Sequence, residues 1–148
     1  MVRQISIKFD EKKLAAVRQK LGTSARMLPR IVYWSINKTA VSVKTAIARG
    51  LAGEVKMKIS DIKRGIKITR ASFHRWQSDV NVFGRRVPLS RFAARQTKKG
   101  VTYQISKSVG AVFEKATSLR RQVLRQSGKV LTKNIDSRVK MILAKGAK

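Results

Sequence analysis

The chain contains no cysteine, which removes disulfide frameworks, thiol nucleophiles and cysteine zinc sites together. It has one histidine, His74, so a two-histidine metal site is excluded. Acids are scarce: Asp10, Glu11, Glu54, Asp61, Asp79, Glu114 and Asp136 are the whole set. They are scattered, without the clustering that a metal-dependent nuclease needs, and the adjacent Asp10 and Glu11 are explained by the start of a helix. Glycines are dispersed, with no Gly-x-Gly-x-x-Gly and no phosphate-binding loop. No Gly-x-Ser-x-Gly turn offers His74 a serine to activate. No apolar run approaches the ~20 residues of a membrane span, and the N-terminus alternates instead of forming a signal-peptide core. These absences disfavour an enzyme and a membrane partner: no catalytic residue, metal ligand or cofactor is expected.

What is present is positive charge. Among 148 residues, 35 are Lys or Arg against 7 Asp or Glu, a formal charge of +28. The length fits one domain, and 43% hydrophobic residues suffice for a folded core. Packing this charge into a compact shape brings self-repulsion that a polyanion would relieve.

Periodicity predicts an α+β fold: a short N-terminal strand, a long central helix, a small antiparallel β-rich middle section and a C-terminal helix, all in one domain. Residues 1–23 read as strand and helix, 24–65 as helical, 66–113 as the basic β-rich section and 114–148 as helical. Over Val2–Phe9, Ile5, Ile7 and Phe9 fall on one face of a strand. Asp10 is placed to cap the first helix and Gly22 to end it. A second helix, capped by Thr23 or Ser24, carries the stripe Leu28, Ile31, Val32, Ile36, Ala40, Val43, Ile47 and Leu51 through to about residue 51. Ser60 is placed to cap a one-turn helix. From Ile66 onward Ile66, Ile68, Phe73 and Trp76 alternate loosely with Lys67, Arg70 and Arg75; strands are expected at Asp79–Phe83 and Val101–Ile105, a second strand or edge at Val87–Leu89, and a turn at Thr97–Gly100. Ser127 and Gly128 precede a last helix whose stripe is Leu131, Ile135, Val139 and Ile142.

From Ile62 to Val109 the cations are Lys63, Arg64, Lys67, Arg70, Arg75, Arg85, Arg86, Arg91, Arg95, Lys98, Lys99 and Lys107, with Asp79 the sole acid. Phe73, Trp76, Phe83, Phe92 and Tyr103 interleave with them. Core packing explains these aromatics better than base stacking, so nucleic-acid contact should be phosphate-directed and sequence-tolerant.

The segment 80–105 resembles the prophage minor tail protein Z family, the tail completion proteins of long-tailed phages. The resemblance rests on Pro88-Leu-Ser-Arg-Phe92, in the pattern Pro-Leu-x-x-Phe, and on Ala94-Arg-Gln-Thr-Lys-Lys-Gly-Val101. Upstream, Ser35-Ile-Asn-Lys-Thr-Ala40 is similar to the family's Ala-x-Asn-x-x-Ala helix, and Ile62-Lys-Arg64 to the short basic helix after it. Ala111-Val-Phe113 is a loose counterpart of an Ala-Phe pair. The resemblance extends from about residue 25 to the C-terminus. It implies a non-enzymatic virion structural protein at the head-proximal end of the tail, made in the host cytoplasm, that assists head–tail joining. The partners it implies are further copies of the chain in a ring, six by tail symmetry, together with neighbouring tail and neck proteins. Charge adds phage DNA, with Arg85, Arg86, Arg91, Arg95, Lys98 and Lys99 as the DNA-facing candidates. Candidates for core or subunit packing are Leu28, Val32, Ile36, Val43, Ile47, Pro88, Leu89, Phe92, Ile135, Val139 and Ile142. The competing reading is a cytoplasmic, sequence-tolerant nucleic-acid-binding protein of ribosomal or nucleoid type, which accounts for the charge but not for the 80–101 pattern.

Overall fold

A computed structural model describes residues 3–55, 57–83, 94–97, 100–103, 112–113 and 115–146. Strand β1 (Arg3–Lys8) leads into helix α1 (Glu11–Leu21), a 3-10 helix (Gly22–Met27) and the long helix α2 (Leu28–Val55). A short helix α3 (Ile59–Arg64) precedes strands β2 (Ile66–Thr69) and β3 (Gln77–Val82). Strands β4 (Ala94–Thr97) and β5 (Gly100–Tyr103) follow, and helix α4 (Thr117–Gly146) closes the chain. The architecture is α+β, as periodicity predicts.

The three-stranded sheet has the order β1-β3-β2, with both pairings antiparallel. Ile5 lies opposite Val80, which in turn faces Ile68, while Val82 faces Ile66. This register gathers apolar side chains on the face that packs against α2, leaving Gln4, Ser6 and Lys8 exposed on the other. The N-terminal strand thus belongs to the same sheet as the middle section. Strands β4 and β5 form a separate antiparallel pair; Lys98 and Lys99, at the centre of the expected turn, lie outside the described residues. The strand expected at Val87–Leu89 lies outside the described residues.

Gly22 ends α1 with φ +48°, the left-handed conformation that glycine adopts without steric penalty. Neither Thr23 nor Ser24 caps the next helix. The 3-10 turn runs straight into α2 without a side-chain cap, so the chain tightens its winding there instead of breaking and restarting. Pro29, at the second position of α2, cannot donate a backbone hydrogen bond, and that loss falls at the junction of the 3-10 and α winding, not in the interior of α2. Ser60 is likewise not a cap: α3 begins after extended Lys58, also without a side-chain cap, and Ser60 lies within its first turn.

Helix α2 spans about 42 Å at 1.5 Å per residue. Leu28, Ile31, Val32, Ile36, Ala40, Val43, Ile47 and Leu51 are all buried, joined by Ser35, Thr39, Ala48 and Val55. It packs against both the sheet and α4. Three contacts show α4 running antiparallel to it: Arg138 against Trp34, Asn134 against Thr39 and Leu119 against Gly50. At Gly50 an added Cβ would lie 2.5 Å from Leu119 Cδ1, so the absent side chain is a notch into which Leu119 fits.

The sequence predicts a last helix starting after Gly128, whereas α4 begins at Thr117 and passes through both Ser127 and Gly128. The physical reason lies in its buried face. Val123, Ser127, Leu131, Ile135 and Val139 recur every four residues, so the stripe crosses the supposed boundary without interruption. The Ser127 hydroxyl satisfies itself by donating to Leu124 O at 2.7 Å.

Candidate functional site

The β-rich section contains one buried acid, which holds one of its cations, Arg75. Asp79 lies on the central strand, between Ser6 of β1 and Thr69 of β2, on the sheet face away from the apolar core. Its carboxylate accepts hydrogen bonds from Ser6 Oγ at 2.7 Å, Gln77 Nε2 at 2.9 Å and Arg75 Nη2 at 2.7 Å. Burial alone would raise its pKa. The hydrogen bonds from Gln77, Ser6 and Gln4, with the Arg75 guanidinium, outweigh that effect and hold the carboxyl below its ordinary value. The sole acid of the basic section is therefore a structural clamp, tying β1 to the loop before β3.

That loop is folded on itself. Ser72 N–H donates to Arg75 O, Arg75 N–H donates to Ser72 Oγ, and Trp76 Nε1 donates to Phe73 O. Phe73 and His74 are left exposed at its tip, with ring centroids 5.5 Å apart. A second clamp comes from α2, where Asn37 donates to Ala71 O at 3.0 Å and accepts from Ala71 N at 2.8 Å. Asn37 is the asparagine of the Ser35–Ala40 motif, and its work is to pin the chain leaving β2 onto the central helix.

Lys63 is half-buried, and Arg64, Lys67, Arg70 and Arg75 are exposed. Lys67 sits over the Phe83 ring at 5.5 Å, and Arg64 reaches Asp61 at 3.6 Å. Of the DNA-facing candidates, Arg95 falls on β4 opposite Thr102; Arg85, Arg86, Arg91, Lys98 and Lys99 lie outside the described residues. Among the packing candidates, Leu28, Val32, Ile36, Val43 and Ile47 are buried on α2, Ile135 and Val139 are buried on α4, and Ile142 packs partly buried against the same core. Pro88, Leu89 and Phe92 lie outside the described residues.

Two polar features were not legible in the sequence. Asn134 Nδ2 donates to Thr39 Oγ1 at 3.0 Å, and Thr39 Oγ1 donates to Ser35 O at 2.8 Å, inside the α2–α4 contact. Trp34 of α2 is approached by two cations, Lys38 Nζ at 4.9 Å and the Arg138 guanidinium at 4.7 Å from its centroid. Asn134 and Arg138 stand far in sequence from Thr39 and Trp34, so no local pattern announces those two contacts, although Ser35–Thr39 and Trp34–Lys38 are each four residues apart.

Among the described residues no group of three His, Asp or Glu side chains comes together, and no helix is long and apolar enough to cross a membrane. Fold and surface define a small, strongly basic α+β protein in which the buried Asp79 serves structure. Residues 13–105 match the family model of the prophage minor tail protein Z (GPZ). The chain belongs to that family, and is a minor component of a phage tail. The match begins earlier than the sequence motifs suggest and ends before α4, which lies outside it. No curated protein and no solved structure gives a match.

Proposed function

We propose that the protein is a tail completion protein: a non-enzymatic subunit at the head-proximal end of the tail that assists joining to the filled head and faces the DNA terminus. The family match over residues 13–105 carries this reading. The net charge of +28 supports the DNA-facing part, because a subunit beside the exit path of a genome meets a dense row of phosphates. In this reading the chain is one domain. Several copies, six by tail symmetry, form a ring matched to the tail tube and contact neighbouring tail and neck proteins. Arg85, Arg86, Arg91, Arg95, Lys98 and Lys99 then turn toward the DNA.

The test is made in the particle. A tagged chain that complements a phage lacking its own copy should be seen by electron microscopy at the upper end of the tail. Label at the distal tip, or along the tube, would defeat the assignment. Replacing Arg85, Arg86, Lys98 and Lys99 with Ser should lower infectivity in particles that still assemble; unchanged infectivity would reduce these residues to solubilising charges.

A further inference from the structure

The described residues carry a second basic surface, on α4. Its buried face, Val123 to Val139, is turned to α2. The opposite face presents Arg121, Arg125, Lys129, Lys133 and Lys140, all exposed, at steps of four and seven residues. At 1.5 Å per residue the row runs about 29 Å, its first four cations about 6 Å apart along the axis and Lys133 and Lys140 about 10 Å apart.

Three observations set this row apart from ordinary surface charge. First, none of the five makes an ion pair, hydrogen bond or ring contact among the described residues, whereas Arg120 and Arg138 of the same helix lie over the rings of Phe113 and Trp34. Second, the row works against its own helix, because like charges four residues apart repel, and α4 is held by its packing on α2. Third, the acids that usually alternate with such cations are missing. Asp136 is the exception, and it forms no ion pair with Lys133 or Lys140. Thr132, Asp136 and Ser137 complete the lining of a shallow depression between Lys129, Lys133 and Lys140, the Thr132 hydroxyl donating to Gly128 O.

We propose that this outward face of α4 is a binding surface for the phosphate backbone of duplex DNA. A row of unpaired cations along one side of the helix complements a polyanion carrying one charge per ~3.4 Å on each strand, and contacts of this kind are indifferent to base sequence. The inference rests on the reading that DNA is a partner. It adds a surface that lies outside the family match and is independent of the charges at residues 85–99.

The experiment uses the purified full chain and a duplex of mixed sequence, titrated between about 50 and 200 mM salt. Replacing Arg121, Arg125, Lys129, Lys133 and Lys140 together with Gln should flatten the slope of log K against log salt by about 4–5, at roughly 0.9 per phosphate neutralised. A control removes equal charge elsewhere, with Gln at the exposed positions Lys8, Lys13, Arg18, Lys20 and Lys58, and should change the slope by less than about 1. Equal flattening in both variants would mean that net charge, not this face, binds DNA, and the proposal falls. A single change guards against misfolding of the fivefold variant: Asp136→Asn should tighten binding about threefold, from removal of one charge at close range in water, while Glu54→Gln should leave it unchanged. If neither Asp136→Asn nor the fivefold variant alters binding, or if polyglutamate competes as well as the duplex, the assignment is overturned. Because the assay needs no particle, its failure is separable from misplacement of the protein in the tail.

Discussion

Helices α2 and α4 are nearly equal in length and pack along each other, yet they use their surfaces in opposite ways. On α2, twelve residues are buried and its neighbours include both the sheet and α4. On α4, a single stripe is buried and the opposite face is left as a row of cations. The family match takes in α2 and stops short of α4. One helix organises the fold, and the other lends it a closing face while keeping the remainder of its surface for charge.

The strongest way to break this comparison is to truncate an apolar side chain on each helix. Ile47 is fully buried on α2, and Ile47→Ala should lower unfolding free energy by about 2–5 kcal/mol through lost burial and the cavity left behind. Leu131, at 9% exposure on α4, should fall at the low end of that range. Met141, at 45% exposure, should change stability by less than about 0.5 kcal/mol. Chemical denaturation of the three variants checks the order, and an equal loss at Ile47 and Met141 would contradict it.

The acids make the same contrast in charge. Asp79 is buried under Ser6, Gln77 and Arg75, whereas Asp136 stands exposed in the cation row. Asp79→Asn should lower stability by about 1–3 kcal/mol at neutral pH, because hydrogen-bond donors aimed at a carboxylate are left poorly matched; the Arg75 ion pair adds little, since Arg75 is more than half exposed. The folded-state pKa of Asp79 is depressed. Its contribution is therefore present above the unfolded value, about 3.9, and is lost as pH falls through the lower folded value. Denaturation curves of the wild type should show that acid-side loss, and Asp79→Asn should lack this component. Asp136→Asn should leave stability within about 0.5 kcal/mol.

Much of α2 was legible because its apolar residues repeat at helical spacing with few charges to blur them. The pairing of β1 with β3 was not, since Arg3 and Val82 stand far apart in the chain and no short-range pattern links them. The roles of Asp79 and Asn37 were hidden for the same reason: their partners arrive through the fold. On α4 the sequence misled in a specific way. Ser127 and Gly128 have the composition of a boundary, but Ser127 belongs to the buried stripe and Gly128 faces outward, so neither interrupts packing. The cations of α4 were visible as residues, although only the helix beginning at Thr117 aligns Arg121 and Arg125 with Lys129, Lys133 and Lys140.

The α2–α4 seam provides a smaller test. Asn134→Ala withdraws the hydrogen bond to buried Thr39, and should lower stability by about 1–2 kcal/mol. Pairing Asn134→Leu with Thr39→Val removes both polar partners, and should recover most of that loss. If the double variant is no better than the single one, shape at the seam matters more than its hydrogen bond.

The smallest effect discriminates most sharply between the two ways of reading α4. Gly128 lies inside the helix and is exposed, and an added Cβ would meet nothing within 4 Å. Gly128→Ala should then stabilise the protein by up to about 1 kcal/mol, the ordinary helix-propensity difference, or about 2–4 °C in Tm for a chain of this size. The same substitution at Gly50 meets Leu119 at 2.5 Å, so its propensity gain is offset by displacing that side chain. A rise in Tm for Gly128→Ala without a comparable rise for Gly50→Ala is the expected pattern. A fall at Gly128 would mean that the chain needs glycine to bend or break there, and the aligned row from Arg121 to Lys140 would lose the continuous helix on which it depends.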